Sequence, residues 1–284
     1  MGDLFSNQTE LPWLNSYEKS WKKITQNNKT PHAILISGNR GIGKRAFAAW
    51  LATEHLDITT KYKGCIYPFA VPSHADLKWI RPNEGKRDIS VDQIRQIIDD
   101  LSMSSYEGIG KVTVIEPVNK MNISSANSLL KILEEPPGNT LIILIADKMK
   151  NIPATIISRC QHIKIYPPTE DESREFINHI HPDANIGKID PYILVSPLIY
   201  EEQNNHSQNI ESIINDLMSM LNKKNSPLDI AARLSVEEAE IFLDWFSYFV
   251  YSLLRNAYRV NMQQSKFEEI LNKLDIPNLF IYFD

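Results

Sequence analysis

A chain of 284 residues, 43% hydrophobic and 23% charged, has enough apolar material for a sizeable buried core and room for two or three domains. Its net charge of −5, with lysine and arginine spread along its length, lacks the electrostatic footprint of an autonomous nucleic-acid binder. Its two cysteines, Cys65 and Cys160, stand far apart and exclude both a disulfide framework and a four-cysteine zinc site.

The opening MGDLFSNQTELPW has no basic region leading into an apolar run and a cleavage site. No later stretch approaches the ~18 consecutive apolar residues of a membrane span, so a cytoplasmic location is the expectation. Up to about residue 165, short apolar runs alternate with helical patterns, the signature of an α/β domain with a parallel sheet. Ala33 to Ser37 reads as the first buried strand, followed by a glycine-rich turn and a helix from Lys44 to His55 with Phe47, Trp50 and Leu51 on one face. Leu77 to Arg81 reads as a second strand. Ser90 and Gln93 form a capping box, opening a helix whose apolar stripe is Val91, Ile94, Ile97, Ile98 and Leu101. Val112 to Glu116 and Leu141 to Ala146 are apolar enough to be central strands. Between them Ala126, Leu129, Leu130 and Leu133 make a helix face that Pro136-Pro137-Gly138 stops, and Ile163 to Ile165 closes the sheet.

Pro167-Pro168 marks a change of texture, and Thr169 with Glu172 caps a new helix. The expected organisation is a P-loop-type domain over 1–167, a small helical domain over 168–205 and a helical domain over 206–284. In the last, Ile210, Ile213, Ile214, Leu217 and Leu221 form one stripe and Phe242, Trp245, Phe246, Phe249, Leu253 and Leu254 another. A final helix is expected over about Ser265 to Leu274.

Gly38-Asn39-Arg40-Gly41-Ile42-Gly43-Lys44 follows a strand and opens a helix, the setting in which backbone N–H groups and a helix N-terminus cradle phosphates. Gly38, Gly41, Gly43 and Lys44 are therefore the candidate phosphate-binding residues. The next residue should offer a hydroxyl to magnesium, and here it is Arg45. The strand that should end in a metal-binding aspartate and a water-orienting glutamate ends instead in Glu116-Pro117. Two readings stay open: a turn kept only for folding, and a loop that still holds ATP or ADP weakly. Efficient hydrolysis needs groups that are missing.

Ser158-Arg159-Cys160 follows the LIILIA strand. Together with Ser125 to Pro137 (SANSLLKILEEPP), Pro31-His32-Ala33, and Ile89 to Arg95 (ISVDQIR), it resembles the bacterial clamp-loader branch of the AAA+ ATPases, and within it the delta-prime type. Four matching segments in the right order carry the resemblance, which is dense over residues 10–168 and weak beyond. It implies an AAA+ P-loop domain followed by a helical lid and a helical collar. It also implies that Arg159 is presented across a subunit interface to ATP bound by a neighbour, where a guanidinium stabilises charge on the γ-phosphate. The bland alternative for Arg159 is a surface salt bridge or helix C-terminal charge, and Cys160 reads as packing.

The implied partners are gamma/tau-type and delta-type clamp-loader subunits, with the sliding clamp and primed DNA reached through the complex. Many relatives of this kind carry a four-cysteine zinc module after the first helix. Here that stretch holds Cys65 alone, flanked by His55 and His74, and no zinc is expected. The segment comparable to the one where hydrolysing relatives place a phosphate-sensing arginine, Leu194 to Leu198, has none. Two rival functions remain: an ATP-hydrolysing motor with relaxed metal coordination, and a nucleic-acid-binding platform, which the acidic balance disfavours.

Overall fold

The computed structural model describes residues 8–200, apart from 27–29, 59–63, 185–188 and 190, and scattered positions between 215 and 247. Two compact units are present, one of Met1–Lys188 with Leu194–Leu198, the other of Ile189–Ile193 with Ile199–Asp284. The expected stripes of the C-terminal helical domain and its last helix lie, apart from isolated residues, outside the described residues.

The first unit is built on a five-stranded parallel sheet. Its strands are β2 (Ala33–Ser37), β4 (Leu77–Ile80), β5 (Lys111–Ile115), β6 (Thr140–Ala146) and β7 (Gln161–Lys164), and across the sheet they run β4-β5-β6-β2-β7. Every residue of β2, β5 and β6 is buried, as central strands covered on both faces require. The alternate side chains Leu35, Ile142 and Leu144 face a core shared with Ile94, Ile97 and Leu101 of α3 (Val91–Ser102) and Leu129 and Leu133 of α4 (Ile123–Glu134). Helix α2 (Lys44–His55) also packs on the sheet, with Phe47, Trp50 and Leu51 buried. Each such side chain contributes ~1.5–3 kcal/mol relative to an exposed one.

The helix starts follow local chemistry. Ser90 accepts from the Gln93 N–H at 3.2 Å while the Gln93 side chain accepts from the Ser90 N–H at 3.1 Å, closing the capping box of α3. The same reciprocal pair joins Thr169 and Glu172 at α6 (Glu170–Ile180). Asn122 caps α4, with its Oδ1 accepting from the Ser125 N–H at 2.8 Å. Short helix α5 (Ala154–Ile157) precedes β7.

Strand ends differ from the sequence reading by a residue or two. Strand β5 begins at Lys111 and stops before Glu116; β7 is Gln161–Lys164 rather than the expected Ile163 to Ile165. The two-residue strands β1 (Thr9–Glu10) and β3 (Ile66–Tyr67), and helix α1 (Asn15–Gln26), have no counterpart in that reading. Strands of two residues are too short for any periodicity to register.

Candidate functional site

Parallel strands bring the residues that follow them to one edge of the sheet, and β2 lies between β6 and β7, where the strand order reverses. The loop Gly38 to Gly43 leaves that edge. Gly38 has φ 149°, and a Cβ there would stand 2.5 Å from the Ile165 carbonyl oxygen, so only glycine fits. Gly43 has φ 93°, and its Cβ would meet Leu11 at 2.8 Å. The loop is braced from outside: the Trp13 indole donates to the Ile42 carbonyl at 2.9 Å, and the Leu198 N–H donates to the Gly41 carbonyl at 3.0 Å.

Lys44 is buried and turned back into this loop. Its Nζ donates to the Gly38 and Asn39 carbonyls at 2.8 and 2.6 Å and pairs with Asp147 at 2.7 Å. Burial holds its pKa below the ordinary lysine value, partly offset by Asp147. The register explains the partner: Ser37 of β2 lies opposite Ala146 of β6, so Asp147 emerges opposite the start of the loop.

Arg45 sits at the second position of α2, and its Nε donates to Glu116 Oε1. The other carboxylate oxygen of Glu116 accepts from the Trp79 indole at 2.9 Å and from Arg81 Nε at 3.2 Å. Glu116 is buried, whereas Arg45 and Arg81 are half exposed. Here too the register sets the meeting, because Ile80 pairs with Ile115 and the residues after them, Arg81 and Glu116, come out side by side.

Arg159 lies at the opposite edge. It follows α5 and precedes β7, whose Gln161 pairs with Ile34 near the start of β2. All three of its guanidinium nitrogens are engaged: Nε and Nη2 donate to Glu134 Oε1, the former at 2.8 Å, and Nη1 donates to the Thr155 carbonyl at 3.0 Å and to Ser158 Oγ at 3.3 Å. About a third of the side chain, 34%, stays open to solvent. Nearby, His32 Nε2 lies 2.8 Å from the Leu133 carbonyl and so occupies one of the otherwise unpartnered carbonyls at the end of α4. The Pro-His-Ala, Glu-Glu-Pro-Pro and Ser-Arg-Cys segments therefore meet at one edge. Burial pushes the Cys160 thiol up to about 12, which keeps it protonated and unreactive at neutral pH.

Asp147, Arg81, Trp79 and Glu134 were not singled out from sequence. The first two had an available signal, since each directly follows a strand on the loop-bearing edge of a parallel sheet. Of the residues weighed for zinc, Cys65 is buried with its N–H donating to Glu18 at 2.7 Å, His55 is 3.4 Å from the Asn139 carbonyl, and His74 is 3.3 Å from Glu107. Among the described residues no three His, Cys, Asp or Glu gather into a metal-binding group.

In chain order the parallel strands run 2-3-4-1-5 across the sheet, with a glycine loop and lysine after the first, and this arrangement defines a P-loop ATPase fold of the AAA+ type. The sequence matches the family described as DNA polymerase III, delta subunit, over residues 13–169, and the chain belongs to that family. It is delta-prime-like. The subunit delta' of Pseudomonas aeruginosa DNA polymerase III is 28% identical over 258 residues, 86% of this chain and 77% of that protein. The delta' of Haemophilus influenzae is 30% identical over 58% of this chain, and the gamma subunit of Buchnera aphidicola subsp. Schizaphis graminum 33% identical over 54%. Those two matches span 52% and 43% of the relatives' own lengths. Among solved structures, a gamma-subunit-related protein of Thermotoga maritima aligns over 89% of this chain and 76% of its own, at 19% identity and a TM-score of 0.44. The clamp-loader resemblance carried by the four sequence segments agrees with the family assignment. Among the described residues no helix is long and apolar enough to cross a membrane.

Proposed function

We propose that this delta-prime-like chain holds one place in a cytoplasmic DNA polymerase III clamp loader and extends Arg159 to ATP bound by an adjacent subunit. In this reading the neighbours are gamma/tau-type ATPases and a delta-type subunit. The sliding clamp and primed DNA are reached through the assembly, and residues 168–205 and 206–284 serve as lid and collar.

The observation that carries the reading is the placement of Arg159. It stands at the edge of the sheet where β2 begins, while the chain's own phosphate loop leaves the edge where β2 ends. The rise from Ile34 to Ser37 alone separates the two edges by roughly 10 Å at ~3.3 Å per residue. A guanidinium folded onto Glu134 does not bridge that gap, so any triphosphate it serves belongs to another molecule. Its value there is large, because an arginine supplied in trans is worth ~10³ to 10⁵ in rate.

The chain's own loop is read as retired from catalysis. A magnesium ion at such a site needs a hydroxyl from the residue after the lysine and a free carboxylate at the end of the neighbouring strand. The residues present do not fit it: Arg45 replaces the hydroxyl, and both oxygens of Glu116 already accept from Arg45, Arg81 and Trp79. Nucleotide binding there is weak at most, and zinc has no part in the reading.

One observation favours the rival ATPase motor, namely that a buried carboxylate survives beside the loop. Both readings are tested by assembling the partner subunits with and without this chain and following ATP turnover on primed DNA. The proposed role predicts that turnover depends on this chain while the isolated chain hydrolyses nothing. Magnesium-dependent hydrolysis by the isolated chain supports the motor instead.

A further inference from the structure

We infer that Glu134 is a positioning residue for Arg159, holding its guanidinium in place for a neighbour's triphosphate; this rests on the in-trans reading of Arg159. A surface arginine ordinarily explores many rotamers and loses that freedom when it engages a phosphate. Arg159 has already been ordered. Glu134 takes two of its nitrogens through one carboxylate oxygen, and the Thr155 carbonyl with Ser158 takes the third, yet a third of the side chain faces solvent. A cation that is held but open is what electrostatic preorganisation requires, since no reorientation remains to be done when charge develops.

The placement of Glu134 is not explained by its own helix. It is the last residue of α4, where the helix dipole is negative and a carboxylate is disfavoured. Arg159 supplies the counter-charge that makes the position tolerable. The end of α4 is itself fixed, by His32 on the Leu133 carbonyl and by the two prolines that follow Glu135, so the carboxylate is mounted on a rigid support. The pair leaves the guanidinium reachable where it stands, with a third of the Arg159 side chain open to solvent beside a half-exposed Glu134. Glu134 therefore tunes the arginine and does not lock it away.

The test is ATP turnover of the reconstituted assembly, with co-purification confirming that each variant still assembles. At the one site Arg159 serves, Glu134→Ala should lower kcat about three- to fivefold, the size an exposed ion pair carries, with KM for ATP unchanged. Glu134→Gln, which keeps the accepting oxygen, should recover most of the loss. Adding Glu134→Ala to Arg159→Ala should change nothing further, because the residue to be positioned is gone. Unchanged turnover in Glu134→Ala, failure of the glutamine to recover activity, or losses that multiply in the double variant would each overturn the proposal. If Arg159→Ala alone leaves turnover intact, the in-trans reading itself fails and Glu134 loses its role with it.

Discussion

The two edges of the sheet differ in how deeply their ion pairs are buried. At the edge where β2 ends, Lys44, Arg45 and Arg81 are folded onto Asp147, Glu116 and the loop's own carbonyls, with Lys44 and Glu116 buried. At the edge where β2 begins, Arg159 is held by Glu134 and Thr155, and neither member of that ion pair is buried. The same fold thus buries one member of each ion pair beside the loop, and at the other end leaves both members of the pair in contact with solvent.

The sharpest way to break this contrast is chemical. Cys160, next to Arg159, has its thiol pushed from 9.0 up to about 12 by burial, which leaves on the order of 10³ less thiolate than an ordinary cysteine at neutral pH. Iodoacetamide should therefore label it quickly only after unfolding in urea. Rapid labelling of the native protein would mean that the corner behind Arg159 is not packed as described.

A smaller effect is expected at the edge that bears the loop. Replacing both Arg45 and Arg81 by alanine leaves the buried Glu116 carboxylate with the Trp79 indole alone among its described partners. Breaking a fully buried pair costs ~3–5 kcal/mol, and with both arginines half exposed the loss should be about 2–3 kcal/mol in chemical denaturation. A loss below about 0.5 kcal/mol would show that the cluster is an ordinary surface feature.

The smallest effects concern Lys44. Burial lowers its pKa below 10.5, so the folded chain binds that proton less tightly than the unfolded chain does. The cost of the buried ammonium is present at neutral pH and is relieved as pH climbs through the folded value towards 10.5. Lys44→Met should therefore remove that rise from the stability–pH curve, measured as the difference from wild type. Turnover of the assembly should change little, which sets the loop-bearing edge apart from the edge that carries Arg159.

Much of the fold was legible because its signals are local. The run Ala33 to Ser37, the helix from Lys44 to His55 and the capping boxes at Ser90 and Thr169 are written in adjacent residues, and the structure reproduces each. The glycine loop is legible by its spacing, and Arg159 stands out only in the company of three other segments. What escaped was the pairing. Arg81 with Glu116, Lys44 with Asp147 and Arg159 with Glu134 join residues brought together by strand register or helix ends, and no spacing within a single segment reports them. Those pairs are what distinguish the two edges.

The most direct test of a cation acting in trans is the ATP turnover of the reconstituted assembly carrying Arg159→Ala, beside the same assembly with the wild-type chain. The account predicts an assembly that forms normally and loses on the order of 10³ in rate at the one site this arginine serves. An assembly that forms normally and keeps its full rate at that site would contradict it.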